Sequence, residues 1–558
     1  MIRLGVFKQR ILRGFAVLIL SFAFSPLNAE TLKIGVSQYP TGLNPILDSS
    51  VVGSYVQSAY WRPMMIYGKE WQPICHLCVQ VPTFENGLAK KVILDDGREG
   101  IELTVQLKDE IFWADGMPVT TKDVLLGYQI STDKRVKGNP GYEEDQTIES
   151  LSILDDKRLK VLLNKRVFNY RTFVPSAIPD HIEGDIYRAD PENYDKKTKY
   201  VTAPETPGLY NGPYRLGKYA TGSFINVVRN PHWKGMTPYF DSVSFKTVGN
   251  TAALEAHLLS GSVDMIAGES GLTLDQVLRL EDRLGSKYQF IYEPGLLYEH
   301  LDVNLDNPHL SKKAFRKGLL YSIDRQLLVD KLFEGKQILA HTDTSPRDIG
   351  FTEDVVTYSY DPKKAKEQFE LAGYSIKNGK LVDEDGQAVQ LELMSTAGNK
   401  TRELVQQVLQ SQWKQMGIQV TINNQPARVF FGQTLKERKH TGLALFAWYS
   451  APESPPESTL HSENIPTKAN NWGGQNYAAY NNPKMDALLD EIEVALDQEI
   501  REGLFADIQR IYAEDLPALP LYFRSDSFVL PLWLKGVTPT GHMFPSTHWI
   551  EEWHRAGN

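Results

Sequence analysis

The chain has 558 residues and a formal net charge of −9, and 42% of its residues are hydrophobic and 23% charged. That length is enough for several domain-sized units, and the balanced composition excludes a disordered or fibrous protein and a small disulfide scaffold. The acidic balance leaves no basic field for phosphate groups, so nucleic acid is not an expected partner.

The first 29 residues have the order of a cleaved export signal. Four basic residues precede an apolar stretch at 15–24, which is too short to span a membrane: Arg3, Lys8, Arg10 and Arg13. We expect cleavage after Ala29, which changes the net charge from −9 to −13 and leaves no cysteine at the cleavage site for a lipid. The sequence therefore predicts a freely diffusing protein in the periplasm of a Gram-negative cell.

Cys75 and Cys78 are the only cysteines, and Pro73 and Pro82 flank them. In an oxidising compartment such a pair favours a local disulfide. A thioredoxin-like redox site would have the pair open a helix, whereas the flanking prolines favour a loop. Haem attachment would need histidine where Val79 stands, and no second ligand pair has the spacing of a zinc site. We therefore predict a structural disulfide.

Alternating and bounded apolar runs predict strands in the first half of the chain. A strand at 32–36 is followed by a loop at 39–45. A strand at 103–107 and a turn at 113–116 then lead into a helix that carries Val124 and Leu125, with Thr120 or Thr121 as its cap. Two further runs, at 225–228 and 243–245, predict paired strands.

The second half has clear helix boundaries. Asp361 caps a helix that begins with Pro362, faces inward through Ala365 and Phe369, and ends at Gly373. A second helix ends at Gly417 and is predicted to face inward through Leu404, Val405, Val408, Leu409, Trp413 and Met416.

Strands follow these helices directly. Ile418, Val420 and Ile422 alternate as a strand, and Asn482 with Pro483 opens another helix. Helix followed at once by strand predicts crossover connections and an α/β fold with a mainly parallel or mixed sheet.

The sequence lacks the motifs of common enzyme classes. It has no Gly-x-Ser-x-Gly elbow, no His-Glu-x-x-His helix, no phosphate loop and no Gly-x-Gly-x-x-Gly. We therefore expect no catalytic residues, no metal site and no cofactor. A secreted hydrolase whose carboxylates converge only in the fold is a remote alternative.

The sequence is rich in aromatic residues that could form a binding surface, with 10 Trp, 26 Tyr and 23 Phe. Three stretches combine them with polar residues, at 298–300, 446–450 and 472–480. Trp and Tyr offer apolar area with a polar handle, which suits a pocket for an amphipathic solute.

A group of short motifs spans nearly all of residues 31–558. The most specific runs from Phe112 to Val124 and contains Asp115-Gly116, Pro118-Val119-Thr120 and Asp123-Val124. The others are Leu43-Asn44-Pro45, Gly212-Pro213-Tyr214, Arg229-Asn230-Pro231, Gly261-Ser262-Val263-Asp264, Ser322-Ile323-Asp324-Arg325, Asp361-Pro362, Ala372-Gly373-Tyr374 and Asp515-Leu516-Pro517. Together they resemble family 5 extracellular solute-binding proteins, the dipeptide- and oligopeptide-binding receptors of ABC importers.

The resemblance implies an α/β periplasmic-binding-protein fold of two lobes, with the ligand enclosed where the lobes close. Lobe one would hold 30–290 and 508–558, including an extra subdomain at about 61–204, and lobe two would hold 291–507. We expect a monomer.

The resemblance also implies the residues that line the ligand cleft, which are Asn44, Tyr142, Tyr298, His300, Trp448, Tyr449 and Ser450. Peptide binders of the family carry an Asp three residues after the tryptophan, where it meets the peptide's amino group. Here that position is Ala451, and the next acid is Glu453. Because an uncompensated buried ammonium costs several kcal/mol, either Glu453 replaces the acid or the ligand lacks a free α-amine.

The function implied is a periplasmic receptor that captures a peptide or peptide-like solute. It would deliver the solute to an inner-membrane ABC permease, and the ATPase subunits of that permease would hydrolyse ATP. One alternative is a receptor of the same fold for a non-peptide solute, such as an opine, an oligosaccharide or a metal chelate. Another is a ligand-loaded receptor that signals to a chemosensor.

Overall fold

A computed structural model describes residues 30–557 except 49, 250, 269 and 471. The predicted export signal at 1–29 lies outside the described residues. Within the described part of the chain, no helix is both long enough and apolar enough to cross a membrane.

The strands lie along the whole described chain. Numbered in chain order they are β1 (Thr31–Val36), β2 (Met65–Tyr67), β3 (Pro73–Cys75), β4 (Ala89–Ile93), β5 (Glu99–Gln106), β6 (Ile148–Ile153), β7 (Arg158–Leu163), β8 (Tyr214–Ala220), β9 (Phe224–Arg229), β10 (Ser242–Thr247), β11 (Met265–Ile266), β12 (Tyr288–Val303), β13 (Ile338–Leu339), β14 (Ser375–Lys377), β15 (Lys380–Val382), β16 (Gln390–Ser395), β17 (Gln419–Ile422), β18 (Leu443–Tyr449), β19 (Ala518–Pro531), β20 (Leu534–Lys535) and β21 (His554–Arg555).

The helices are interspersed with the strands. They are α1 (Val51–Gln57), α2 (Thr121–Thr132), α3 (Tyr142–Asp145), α4 (Asp185–Ala189), α5 (Tyr194–Lys197), α6 (Lys199–Thr202), α7 (Thr251–Leu259), α8 (Leu274–Leu284), α9 (Lys313–Tyr321), α10 (Arg325–Leu332), α11 (Pro362–Leu371), α12 (Lys400–Gln415), α13 (Ala427–Val429), α14 (Glu457–Leu460), α15 (Pro483–Val494) and α16 (Gln498–Asp515). Short π turns occur at 180–184 and 430–435.

One mixed sheet runs through the molecule in the order β17-β16-β18-β12-β19-β11-β1-β10-β9-β8, and β13 adds to the edge of β19. Parallel pairs join β1 to β10 and β11, and β16 to β17 and β18. The pairs of β12 with β18 and β19 are antiparallel. The sheet is therefore mixed, as the helix-to-strand pattern predicted.

The two longest strands, β12 and β19, connect two hydrophobic cores. Their first shared stretch, Tyr288–Pro294 against 525–531, lies beside β11, and their second, 298–302 against 518–523, lies beside β18. We call the part around the core containing Leu32, Phe245 and Trp553 the first lobe. The part around the core containing Leu319 and Trp413 is the second lobe.

A separate core belongs to the segment between β1 and β8, where β4, β5, β7 and β6 form a four-stranded sheet. Helix α2 packs against this sheet. Its capping box joins Thr120 and Asp123, as the Thr cap in the sequence predicted. Cys75 and Cys78 form a disulfide at the end of β3, with their Cα atoms 5.1 Å apart, and the pair does not open a helix. We call 61–204 the subdomain, and its exact limits stay a prediction.

The local predictions match the elements closely. Asp361 accepts hydrogen bonds from the backbone N–H groups of Lys363 and Lys364 at the start of α11, and Gly373 follows this helix with a φ of +89°. The predictions at 32–36, 225–228, 243–245 and 418–422 fall on β1, β9, β10 and β17. The inward position predicted for Leu404 is wrong, because the side chain on α12 is 45% exposed and lies at the edge of the buried stripe.

Helix α12 provides a direct test of this packing. Trp413 is fully buried in the second lobe, and its Nε1 donates to the Leu319 carbonyl oxygen at 3.1 Å. We expect Trp413→Ala to lower the free energy of unfolding by about 3–5 kcal/mol, because it leaves a cavity in the second lobe and removes the hydrogen bond to the Leu319 carbonyl oxygen. Denaturant unfolding measures the change. The matched control on the same helix, Leu404→Ala, should shift it by less than about 0.5 kcal/mol. Equal losses in both variants would contradict the assigned packing.

Candidate functional site

The site is built on one face of β12. Because successive side chains of a strand point to opposite faces, Tyr298, His300 and Asp302 lie on the same face. Cross-strand pairing sets Trp448 of β18 opposite Tyr298 and Phe446 opposite His300. The register of the second lobe therefore places an aromatic and acidic surface on this face of the sheet.

This surface forms the floor of a cavity of about 180 Å³ in the second lobe, which we call the chamber. Loops before and after the strands supply its walls. The residues that line the chamber include Tyr298, His300, Asp302, Asp343, Thr344, Ser345, Asp348, Trp448, Tyr449, Ser450, Ala451, Ser454, Thr459, Gln475 and Tyr512.

A larger space of about 530 Å³ adjoins the chamber. The subdomain contributes most of its lining, including Tyr67 and Asn169, and the second lobe contributes Ala451 and Ser454. Because Ala451 and Ser454 also line the chamber, the two spaces meet at this loop. The site can therefore hold one group of a ligand in the chamber and the remainder between the lobes.

Ring contacts fix the floor of the chamber. Tyr298 stacks on His300 with ring centroids 4.9 Å apart, and the Tyr298 hydroxyl lies 2.8 Å from the Tyr512 hydroxyl. The Trp448 ring contacts Phe446 and Tyr477 at 5.3 and 5.8 Å. Aromatic side chains held in this way offer a preformed apolar surface to a ligand.

The charged groups in the chamber are all acidic. Burial raises the pKa of Asp302 and of Asp343 to about 7. Burial also raises the pKa of Asp348 to about 6, although backbone N–H groups donate to its carboxylate. Among the residues described as lining the chamber there is no Lys or Arg, and burial lowers the pKa of His300 to about 4, so that its ring is neutral.

The loop between the two spaces is held by Glu453, which has a left-handed φ of +59°. Its backbone N–H donates to Asp348 at 3.0 Å, and its carbonyl oxygen accepts from Arg501 at 3.2 Å. Its carboxylate accepts from Arg171 at 3.3 Å and from the Tyr67 hydroxyl at 3.4 Å. Because Arg171 and Tyr67 belong to the subdomain, these contacts join the second lobe to the subdomain across the cleft.

The predicted site residues divide into two groups. Those that line the chamber are Tyr298, His300, Trp448, Tyr449 and Ser450. The others, Asn44, Tyr142 and Glu453, do not line it; the role of all eight in binding stays a prediction.

Each of these three has a distinct position. Asn44 is buried in a turn, where its side-chain oxygen accepts from the Ile46 N–H at 3.0 Å. Tyr142 is half-buried at the start of α3. Glu453 directs its carboxylate to Arg171, so that in this closed arrangement the carboxylate already has a cationic partner.

The sequence prediction missed the acids of the chamber. The period of two along β12 was a usable signal for Asp302, which follows His300 by two residues on the same face. Asp343 and Asp348 lie in the irregular segment after β13, where no period exists, and only the fold brings them to the chamber.

The family model for the middle part of the bacterial extracellular solute-binding proteins, family 5, matches residues 83–471. That range is well over half of the chain, and the chain therefore belongs to family 5 of the bacterial extracellular solute-binding proteins. This finding confirms the resemblance drawn from the motifs.

Individual relatives agree with the family assignment. The oligopeptide-binding protein AppA of Bacillus subtilis is 24% identical over 461 residues, 80% of this chain and 80% of that protein. The peptide transport periplasmic protein SapA of Salmonella typhimurium is 27% identical over 442 residues, 77% of this chain and 76% of that protein. The oligopeptide-binding protein of Thermus thermophilus, solved with a pentapeptide, has a TM-score of 0.69 at 27% identity, over 94% of this chain and 96% of that one. The predicted two-lobed α/β fold is thereby confirmed.

Arg171→Ala tests the contact across the cleft. The change leaves the Glu453 carboxylate buried without its cation, so we expect it to destabilise the closed arrangement by about 1 kcal/mol and to widen the cleft. Small-angle scattering of the ligand-free protein should show a larger radius of gyration. The matched control is Arg166→Ala, whose partner Glu99 lies in the same subdomain. Identical scattering from both variants would contradict the assigned role of Arg171.

Asp302→Asn tests the raised pKa of the chamber acid. The folded protein keeps this proton up to about pH 7, whereas an unfolded Asp loses it near its ordinary pKa of about 3.9. The folded state therefore binds more protons between these values, and the stability that Asp302 contributes falls as the pH rises from about 4 to about 7.

Because asparagine does not ionise, the variant should gain stability relative to wild type across this window, on the order of a few kcal/mol. Urea unfolding at pH 5 and pH 8 measures the difference. Asp385→Asn, at an exposed position of the same lobe, is the control. A difference between Asp302→Asn and wild type that does not change with pH would refute the prediction.

Proposed function

We propose that this chain is the periplasmic solute-binding component of an ABC importer and that it captures a peptide or peptide-like solute between its lobes. The bound solute is then delivered to an inner-membrane permease. The protein acts by binding and leaves the solute chemically unchanged.

The observation that carries this proposal is the pairing of a small aromatic chamber with a larger space between the lobes. A chamber of about 180 Å³ takes one side chain or terminal group, and the adjoining 530 Å³ takes the rest of an extended ligand. Peptide-binding relatives and the pentapeptide complex of the Thermus thermophilus protein support the same ligand class.

The export signal proposed for residues 1–29 and cleavage after Ala29 fit this location. The proposed cleavage gives a protein that begins at Glu30, and β1 begins one residue later. An intact mass of the exported protein tests the cleavage site directly.

Native mass spectrometry of protein purified gently from the periplasm tests the ligand class. A closed receptor often retains its solute, and unfolding releases it for identification. A ladder of peptide masses would support the proposal. A single non-peptide mass would instead assign the fold to an opine, oligosaccharide or chelate receptor. Incubation with a retained peptide should leave its mass unchanged, and conversion to fragments would favour a hydrolase.

Trp448→Ala tests the chamber as the binding site. The ring forms part of the floor, so its loss should weaken ligand binding by more than about 1 kcal/mol while sparing the fold. Titration calorimetry with a retained peptide measures the affinity, and thermal unfolding checks the fold. The control is Tyr360→Ala, an exposed aromatic of the same lobe that does not line the chamber. Unchanged affinity in Trp448→Ala would remove the chamber from the site.

A further inference from the structure

We propose that the chamber receives a positively charged organic group of the ligand, an ammonium or a guanidinium, and that Asp302 and Asp343 are its partners. The inference rests on the proposed function and specifies the charge of the solute at one end. Ala451 stands where peptide binders of the family carry the Asp that meets a ligand's amino group, and the inference assigns the binding of a cation to Asp302 and Asp343 instead.

The position of Asp302 is the first observation. The residue is only 6% exposed and lines the chamber, and its Oδ1 atom has no hydrogen-bond partner among the described residues. A buried carboxylate oxygen without a partner costs free energy that a bound donor would recover. Asp343 lines the same chamber and is half-buried there.

Glu299 provides an internal comparison on the same strand. It is fully buried on the opposite face of β12, and its Oε1 atom accepts hydrogen bonds from both Arg402 and Arg524, whereas its Oε2 atom has no hydrogen-bond partner among the described residues. Glu299 and Asp302 therefore differ in the cations around them and not in the number of unpartnered oxygens. Burial alone would raise its pKa, but the two guanidinium groups offset this, and its pKa lies below the ordinary value. The protein therefore places two cations beside Glu299, which lies outside the chamber. It places no Lys or Arg side chain among the residues that line the chamber beside Asp302 and Asp343.

Two arginines outside the chamber lining act electrostatically on groups that line it, Arg438 on Asp302 and Arg325 on Tyr298, and both form other contacts. Arg438 forms an ion pair with Asp306 and donates to the Tyr477 carbonyl oxygen at 3.3 Å. Arg325 donates to backbone carbonyl oxygens, including that of Ala340 at 2.6 Å. Neither side chain lines the chamber, and so neither takes the place of a ligand cation.

The remaining titratable neighbours carry no positive charge at neutral pH. The Nε2 atom of His440 lies 3.7 Å from Asp302 Oδ1, but burial lowers the pKa of His440 to about 4, as it does for His300. Burial raises the pKa of the Tyr298 and Tyr512 hydroxyls, which stay protonated. The chamber lining thus presents acids to a ligand and no competing cation.

The charge state of the acids gives the expected dependence on pH. Without a cation, burial raises the pKa of both carboxyl groups to about 7, and the protons neutralise them. A ligand cation favours the ionised carboxylates, so binding releases protons and becomes tighter as the pH rises from about 5.5 to about 7.5. Above that pH an α-ammonium group begins to lose its own proton, whereas a lysine or arginine side chain keeps its charge.

The shape of the site favours an organic cation. The chamber is large enough for one amino or guanidino side chain, or for an amino terminus, with the rest of the solute in the adjoining space. Among residues 30–557 that the structure describes, no group of three or more His, Cys, Asp or Glu is arranged to hold a metal ion. The small side chain of Ala451 lines both spaces.

Competition among synthetic tripeptides tests the inference. The probe is an equimolar mixture of four classes, with a free or an acetylated amino terminus and with lysine or its neutral isostere norleucine at the centre. Ligand-stripped protein is incubated with the mixture at pH 7.5, passed rapidly through a desalting column, and the retained peptides are counted by mass spectrometry. The variants are Asp302→Asn and Asp343→Asn, and the matched control is the exposed Asp385→Asn.

We expect wild type and the control to enrich cationic peptides about tenfold or more over the acetylated norleucine class. This enrichment should fall towards one in both chamber variants, while thermal unfolding shows that they are folded. Enrichment of acetylated lysine peptides identifies a side-chain cation, and enrichment of free norleucine peptides identifies an α-ammonium group. Equal retention of all four classes by wild type overturns the inference and leaves the proposed function standing. Retention of no class overturns the proposed function and the inference together.

Discussion

The pairing of β12 with β19 is the constraint on which the rest of the structure depends. These strands run side by side from the first lobe into the second, and their register shifts twice, between Pro294 and Tyr298 and between Glu299 and His300. A strand in fixed register assigns every side chain to one face, and a shift by one residue would exchange the faces. The pairing of β12 with β18 is unbroken from Leu297 to Val303, so the chamber floor and the buried ion cluster of Glu299 lie on opposite faces of the same strand.

This arrangement separates two kinds of buried charge. On one face, the charge of Glu299 is balanced by the guanidinium groups of Arg402 and Arg524, which both contact its Oε1 atom. On the other face, Asp302 and Asp343 lie among aromatic rings without such partners in the described chain. The charge of Glu299 is balanced within the protein, whereas the acids of the chamber are left for a cationic ligand to balance.

The loop after β18 connects the chamber to the closure of the lobes. Asp348 receives the backbone N–H of Glu453 from within the second lobe, while Arg171 approaches the carboxylate of Glu453 from the subdomain. The same short segment thus lines the passage between the two spaces and contacts both sides of the cleft. A ligand that moves this loop would alter the contacts across the cleft.

Local signals in the sequence determined the elements, because a cap, a helical stripe or an alternating strand depends only on near neighbours. Asp361 with Pro362 marked the start of α11, and the aromatic residues around Trp448 marked the chamber. Only the tertiary structure decided which acids line the chamber. Asp343 comes from an irregular segment with no period, and the carboxylate of Glu453 turned to Arg171, a residue 282 positions away in the chain. Such long-range pairing of charges depends on how the lobes pack against each other. No single stretch of the sequence predicts that packing.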